Sequence, residues 1–232
     1  MKWFLKQFCV AAALLTIAAC GGSGSTPTTP TTPATPTQPN RNPTINSISV
    51  TPTFGIAALT SYTFASSASD ADNDSLTYSW DLAGNTRTGA SQTAVFNNGG
   101  DFSATLTVSD GKGGSASQTV TFTSATTTGT WTGNIPFNIG PREMTLTMTQ
   151  STSSGATTAN WSIPSVGLGG ILDPAGQQGI DANGKVTLRF KITQGIGFLD
   201  FTFTGQMQSS GRSIVGSLSG SGFGGQPVTF TK

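Results

Sequence analysis

The chain has no histidine, and its two cysteines, Cys9 and Cys20, both fall within the first twenty residues. Without histidine there is no Ser-His-Asp triad and no Cys-His pair, and most zinc sites lose their commonest ligand. Charge is also scarce: Lys, Arg, Asp and Glu make up 9% of the 232 residues, with 11 basic side chains against 10 acidic ones. No basic field exists to draw nucleic acid, and the long charged side chains that favour helices are few. Outside one short run the acids are scattered, with Asp101, Asp110, Glu143, Asp173, Asp181 and Asp200 among them. No carboxylate pair is nominated for acid–base work. The expectation is a chain that is not an enzyme.

What is present begins with a short basic start, Met1-Lys2-Trp3-Phe4-Leu5-Lys6, and an apolar stretch from Phe8 to Ala19 broken only by Thr16. A spanning helix needs roughly 20 apolar residues; this segment is shorter and reads as a secretory signal. The run Ile17-Ala18-Ala19-Cys20 resembles the lipobox of bacterial lipoproteins. That resemblance implies cleavage of residues 1–19, a diacylglycerol on the Cys20 sulfur and a further acyl chain such as palmitate on its amine. Each buried methylene contributes about 0.8 kcal/mol, and stable anchoring takes more than one chain. The alternative is an ordinary signal peptide with a chance cysteine. Gly21 follows the cysteine, in place of the aspartate that resembles an inner-membrane retention signal. The expected location is therefore the outer membrane, on its periplasmic or its surface face. With Cys9 removed and Cys20 lipidated, no thiol remains for a disulfide, a metal or a nucleophile.

Residues 20–43 read as a lipidated cysteine followed by GGSGSTPTTPTTPATPTQPNRNP. Recurrent proline removes donors and favours extended polyproline II, which makes a semi-stiff spacer. At about 3.1 Å per residue it reaches on the order of 60 Å. It serves either as a stalk or as plain slack.

From 44 to 124, short alternating runs recur. Ile48 and Val50 are followed by Tyr62 and Phe64, then Leu76, Tyr78 and Trp80, then Phe102, Ala104, Leu106 and Val108, then Val120 and Phe122. Period-two alternation divided by Asp/Asn/Gly clusters predicts six or seven half-buried strands and a β-sandwich with Trp80 at its core. The run Ser69-Asp70-Ala71-Asp72-Asn73-Asp74-Ser75-Leu76-Thr77-Tyr78-Ser79-Trp80-Asp81 and the later Gly100-Asp101-Phe102 to Gly113-Gly114 resemble PKD domains and their cadherin-like relatives. The sequence departs from that family after the tryptophan strand. Asp81-Leu82-Ala83-Gly84-Asn85 stands where the family shows a Phe-Gly-Asp-Gly turn, which leaves the subfamily open. Asp70, Asp72 and Asp74, joined by Asp110, are candidate calcium ligands, since calcium takes six to eight oxygens from closely spaced carboxylates and carbonyls. The competing reading is a solvated Asp/Asn turn held by side chain to backbone bonds.

Thr123 to Thr128 reads as a polar hinge. From 128 to 232 the pattern stays all-β: Met144, Leu146 and Met148; Val186, Leu188, Phe190 and Ile192; Leu199, Phe201 and Phe203; Ile214, Gly216 and Leu218; Val228 and Phe230. Turn signals at Gly140-Pro141, Asp173-Pro174, Asn183-Gly184 and Ser210-Gly211 separate about eight strands, which suits an antiparallel up-and-down barrel without exposed edges. Gly129-Thr130-Trp131 resembles the opening strand of calycin-type barrels such as lipocalins. A second open sandwich is the alternative. A barrel interior of this size is either packed or holds one small ligand, and the bulky inward series favours packing. The glycine-rich stretch Val166 to Leu172 is a lid or a tight strand pair. Trp131 and Trp161 are candidate sugar-stacking platforms, or else core.

The combined expectation is an exported, lipid-anchored, non-catalytic module that binds or spaces. It would contact polysaccharide or an envelope protein and no nucleic acid. The alternatives are a carrier of a small apolar ligand in the barrel and a purely structural assembly factor.

Overall fold

In the computed structural model the described residues are 38–232, apart from 177 and 195–199. The signal segment 1–19, Cys20, the stalk up to residue 37 and Leu199 lie outside them. Everything else of length is strand, as the alternation dictates.

The first module is a two-sheet sandwich. Strands β1 (Thr44–Thr51), β3 (Ser61–Ser69) and β6 (Ser91–Val95) form one sheet in the order β1-β3-β6. The other is β2-β8-β7-β4-β5, from β2 (Phe54–Ile56), β4 (Thr77–Leu82), β5 (Asn85–Thr88), β7 (Gly100–Ser109) and β8 (Ser115–Ala125). The inward residues of the two sheets meet in one core: Val50, Tyr62, Phe64, Trp80, Leu82, Ala104, Leu106, Val108 and Phe122. Phe64 packs on Trp80 with ring centres 5.7 Å apart. One strand needed an insertion to fit. Ile45, Ile48 and Val50 do not share a parity, and the pairing of β1 with β3 skips Asn46, so that Ile45 faces Ala68 and Ser47 faces Ser67. This bulge restores the register of the apolar side chains.

The second module is a closed eight-stranded antiparallel barrel. Its strands are β9 (Gly129–Phe137), β10 (Gly140–Gln150), β11 (Thr157–Ile163), β12 (Leu168–Leu172), β14 (Lys185–Gln194), β15 (Phe201–Met207), β16 (Ser213–Gly220) and β17 (Phe223–Thr231). Neighbours in sequence pair in turn, β12 pairs with β14, and β17 returns to β9. The two-residue β13 (Gly179–Ile180) hangs on β14 beside the seam. The barrel centre is filled by side chains, among them Trp131, Leu146, Trp161, Leu188, Phe190, Phe203 and Phe230. Rings of this size fit because glycines stand opposite them. A Cβ on Gly205 or on its cross-strand partner Gly216 would sit 2.6 and 2.8 Å from Phe203 Cζ, and one on Gly133 would sit 2.7 Å from Phe230.

Local readings of the loops need correction in places. The β9–β10 turn is Asn138-Ile139, and Gly140-Pro141 already opens the next strand. Val166 to Leu172 takes the tight-strand alternative. A 3-10 turn, Pro164–Val166, leads into β12, which hydrogen bonds on both sides. Gly170 is required there, because a Cβ would lie 1.9 Å from the Lys191 carbonyl of β14.

The Thr123–Thr128 segment is no hinge. Thr127 is fully buried, and its N–H donates to Gln150 Oε1 at 2.9 Å. Ile56, 1% exposed, packs into the barrel's core cluster. Leu59, Ile56 and Ala125 also crowd Gly155, Gly184 and Gly211, which lie in the barrel loops on that side. The sandwich thus stoppers one mouth of the barrel.

Candidate functional site

At the end of the sandwich remote from the barrel, the chain gathers the acidic residues singled out above. Carboxylate oxygens of Asp70, Asp72 and Asp74 lie within 4.8 Å of one another. The loop that presents them is built from its own carboxylate: Asp70 Oδ1 accepts from the N–H groups of Asp72 and Asp74 at 2.8 and 3.3 Å. Asn73 takes the left-handed conformation (φ 59°) that the turn demands and that asparagine tolerates. Asp70 Oδ2 is buried with no hydrogen-bond partner among the described residues.

The cation set against this cluster is Arg41. Its Nε and Nη2 donate to Asp72 Oδ1 at 2.9 and 2.7 Å, and its backbone N–H donates to Asp72 Oδ2 at 2.8 Å. These bonds, the guanidinium's first, hold the Asp72 carboxyl below the usual carboxylate range. Asp110 stands apart from the trio. It is buried, accepting from Asn40 Nδ2 at 2.7 Å and from the N–H groups of Lys112 and Gly114 at 2.7 and 2.9 Å. The amide of Asn40 is the main reason its acidity too is enhanced. Sequence reasoning assigned Asn40 and Arg41 to the stalk. The available signal was that Asn40-Arg41-Asn42 interrupts the Thr/Pro repeat with its one charged residue.

Neither Trp131 nor Trp161 offers a stacking face. They are 0% and 3% exposed, and their indole N–H groups donate inward, to Thr127 O at 2.7 Å and Ile171 O at 3.2 Å. Asp200, which lies inside the alternating run Leu199-Phe201-Phe203, precedes β15 and is exposed.

Two of the open cavities of the described surface are formed by these modules. One, of about 1030 Å³, runs along the outer wall of β10, β11 and β12, with Thr158, Asn160, Ile171, Asp173, Gln178 and Lys185 in its lining. The other, of about 660 Å³, lies where sandwich meets barrel. One wall of it comes from Asn97–Asp101 and the end of β8, the other from Thr149–Thr152, Ser210–Arg212 and Lys232. Its lining residues are mostly Thr, Ser, Asn, Gln and Gly, joined by Ala125 and the charged Asp101, Arg212 and Lys232. Lys232 Nζ reaches Thr126 O and Thr128 O at 2.9 and 3.2 Å and lies 4.7 Å from the centre of the Trp131 ring. Burial, with Arg212 nearby, shifts this ammonium to lower pKa.

Residues 40–124 match the family model described as PKD domain, and the match begins at Asn40 and Arg41, inside the segment that clasps the acidic loop. No curated protein matches the chain. Among solved structures, one is described as "Structural basis for the promiscuous specificity of the carbohydrate-binding modules from the beta-sandwich super family". It is similar at 16% identity over 84% of this chain and 86% of that one, with a TM-score of 0.36. A likeness so loose transfers no site.

Proposed function

We propose that this chain is a membrane-tethered envelope lipoprotein, anchored through Cys20 in the outer membrane, that acts without catalysis as a rigid module binding polysaccharide. The observation that carries this reading is the junction. Both cores are occupied by their own side chains, and the sandwich plugs one barrel mouth with Ile56. Recognition is thereby left to outer surfaces. The fused modules form a cleft of about 660 Å³ between them whose walls are rich in hydroxyl and amide side chains. Such groups match the donors and acceptors of a polyhydroxylated ligand, and the volume suits a few sugar rings. A filled barrel also weighs against the carrier alternative, since an apolar ligand would have to displace Phe190, Phe203 and Phe230 from the interior they fill.

The test is calorimetric titration of the full chain in detergent against a panel of soluble oligosaccharides. Saturable binding of at least one, weakened by Asn97→Ala or Thr149→Ala in the cleft walls, supports the reading. Uniform failure to bind, with a folded protein, overturns it.

A further inference from the structure

The junction cleft carries more than neutral polar groups. In a chain with so few charges, Arg212 and Lys232 both line this one cavity, and Asp101 is the single acidic side chain with them. Among the described residues neither cation makes an ion pair; the ion pairs found are Arg41–Asp72 and Arg189–Asp173. Asp101 is engaged with the Thr123 hydroxyl at 2.8 Å. Among the side chains that line the cleft, two cations therefore stand against one carboxylate that is already engaged.

We infer that the cleft between sandwich and barrel is a site for an acidic sugar, whose carboxylate lies between Arg212 and Lys232 while its hydroxyls pair with the amide and hydroxyl side chains of the walls. The inference rests on the polysaccharide reading above and narrows it to a charged class. A guanidinium offers paired donors matched to a carboxylate, and charge-assisted bonds of this kind are the strong ones. Lys232 is held in place for such a role: two backbone carbonyls and the Trp131 face fix its ammonium at the cleft wall. A bound carboxylate would offset the mutual repulsion of the two neighbouring cations and so favour the ammonium form of Lys232. Asn97 and Asn98 on the sandwich side, with Thr149 and Thr152 on the barrel side, provide the neutral contacts. No aromatic platform belongs to the cavity, so affinity depends on polar contacts and falls with salt.

The experiment is titration of the full chain in detergent with an oligomer of galacturonic acid, with the same oligomer methyl-esterified, and with inorganic phosphate. Esterification removes the charge and leaves the hydroxyls. The expected result is binding of the free acid, at least ten-fold weaker binding of the ester, and little competition from phosphate. Arg212→Gln should weaken the free acid about ten-fold or more, the usual loss for a hydrogen bond to a charged group, and leave the ester unchanged. Lys232→Gln should do the same. Because Lys232 also clasps Thr126 and Thr128, Arg212→Gln is the decisive variant, and its melting temperature should equal the parent's. Equal binding of acid and ester overturns the acidic-sugar assignment while sparing the broader polysaccharide reading. Phosphate competing as well as the uronate overturns the sugar part. Failure of acid, ester and the wider panel together removes both.

Discussion

The side-chain amide of Gln150, at the end of β10 in the barrel, donates to the backbone carbonyl of Ala57 in the sandwich at 2.9 Å. Its Oε1 accepts from the Thr127 N–H at 2.9 Å and from the hydroxyls of Thr126 and Thr127 at 3.1 and 3.3 Å. A single buried amide therefore ties together the sandwich, the connecting segment and the barrel. Gln150→Leu keeps the bulk and strands both the Thr127 N–H and the Ala57 carbonyl, at a cost of about 2–4 kcal/mol for two buried groups left unmade. Denaturant unfolding of the full chain should show one transition, shifted to lower midpoint in the variant. Two separated transitions in the parent would refute the fused body.

Ile56 belongs to the sandwich by sequence and to the barrel by packing. Ile56→Ala should cost about 2–4 kcal/mol, the usual range for a large core deletion. Amide exchange should accelerate around Gly184, whose position faces Ile56 Cδ1, as well as in β2. Acceleration confined to the sandwich would mean the plug contributes nothing to the barrel.

Gly170→Ala places a methyl 1.9 Å from the Lys191 carbonyl, across the β12–β14 seam. Backbone must move, so a loss of about 3 kcal/mol or more is expected. Gly224→Ala, with open space around it, should change stability by about 0.5 kcal/mol or less. The pair can be compared by denaturant midpoints.

The acidic end predicts a pH dependence with a definite sign. Asp72 and Asp110 have lowered folded pKa values, the first chiefly through Arg41 and the second chiefly through Asn40. Their unfolded values sit near the ordinary carboxylate pKa of about 3.9. Stability from these bonds is fully present above that value and is lost as pH falls through the lowered folded values, where the unfolded chain binds more protons. Thermal midpoints measured from pH 6 down to pH 2 should fall in acid. Arg41→Ala should start lower and fall less steeply, and a slope equal to the parent's would contradict the Arg41–Asp72 assignment.

Membrane tethering through Cys20 has its own test. Expressed in a Gram-negative host, the full chain should incorporate labelled palmitate and sediment with the outer membrane. Cys20→Ser should abolish the label and shift the chain to the soluble fraction. Retention of membrane association by Cys20→Ser would remove the lipid anchor from the proposed function.

The strands of both modules were legible because side chains of a strand alternate between two faces, so each local run reports which face is buried. Met144-Leu146-Met148, Phe201-Phe203 and Val228-Phe230 point inward as their alternation says. The absence of histidine and the scatter of the acids likewise spoke for themselves. Alternation carries no information about what a face meets, and there the tertiary structure decided. It turned Thr126–Thr127 from an apparent hinge into a buried joint and took Asn40 and Arg41 out of the stalk. It also drew Asn97, Thr149, Arg212 and Lys232, strung over more than half the chain, to one cleft. The physical reason is range. Period and propensity act over a few residues, whereas the Gln150–Ala57 bond, the Ile56 plug and the charged cleft are contacts between segments roughly a hundred residues apart, which exist only once both modules have closed and packed end to end.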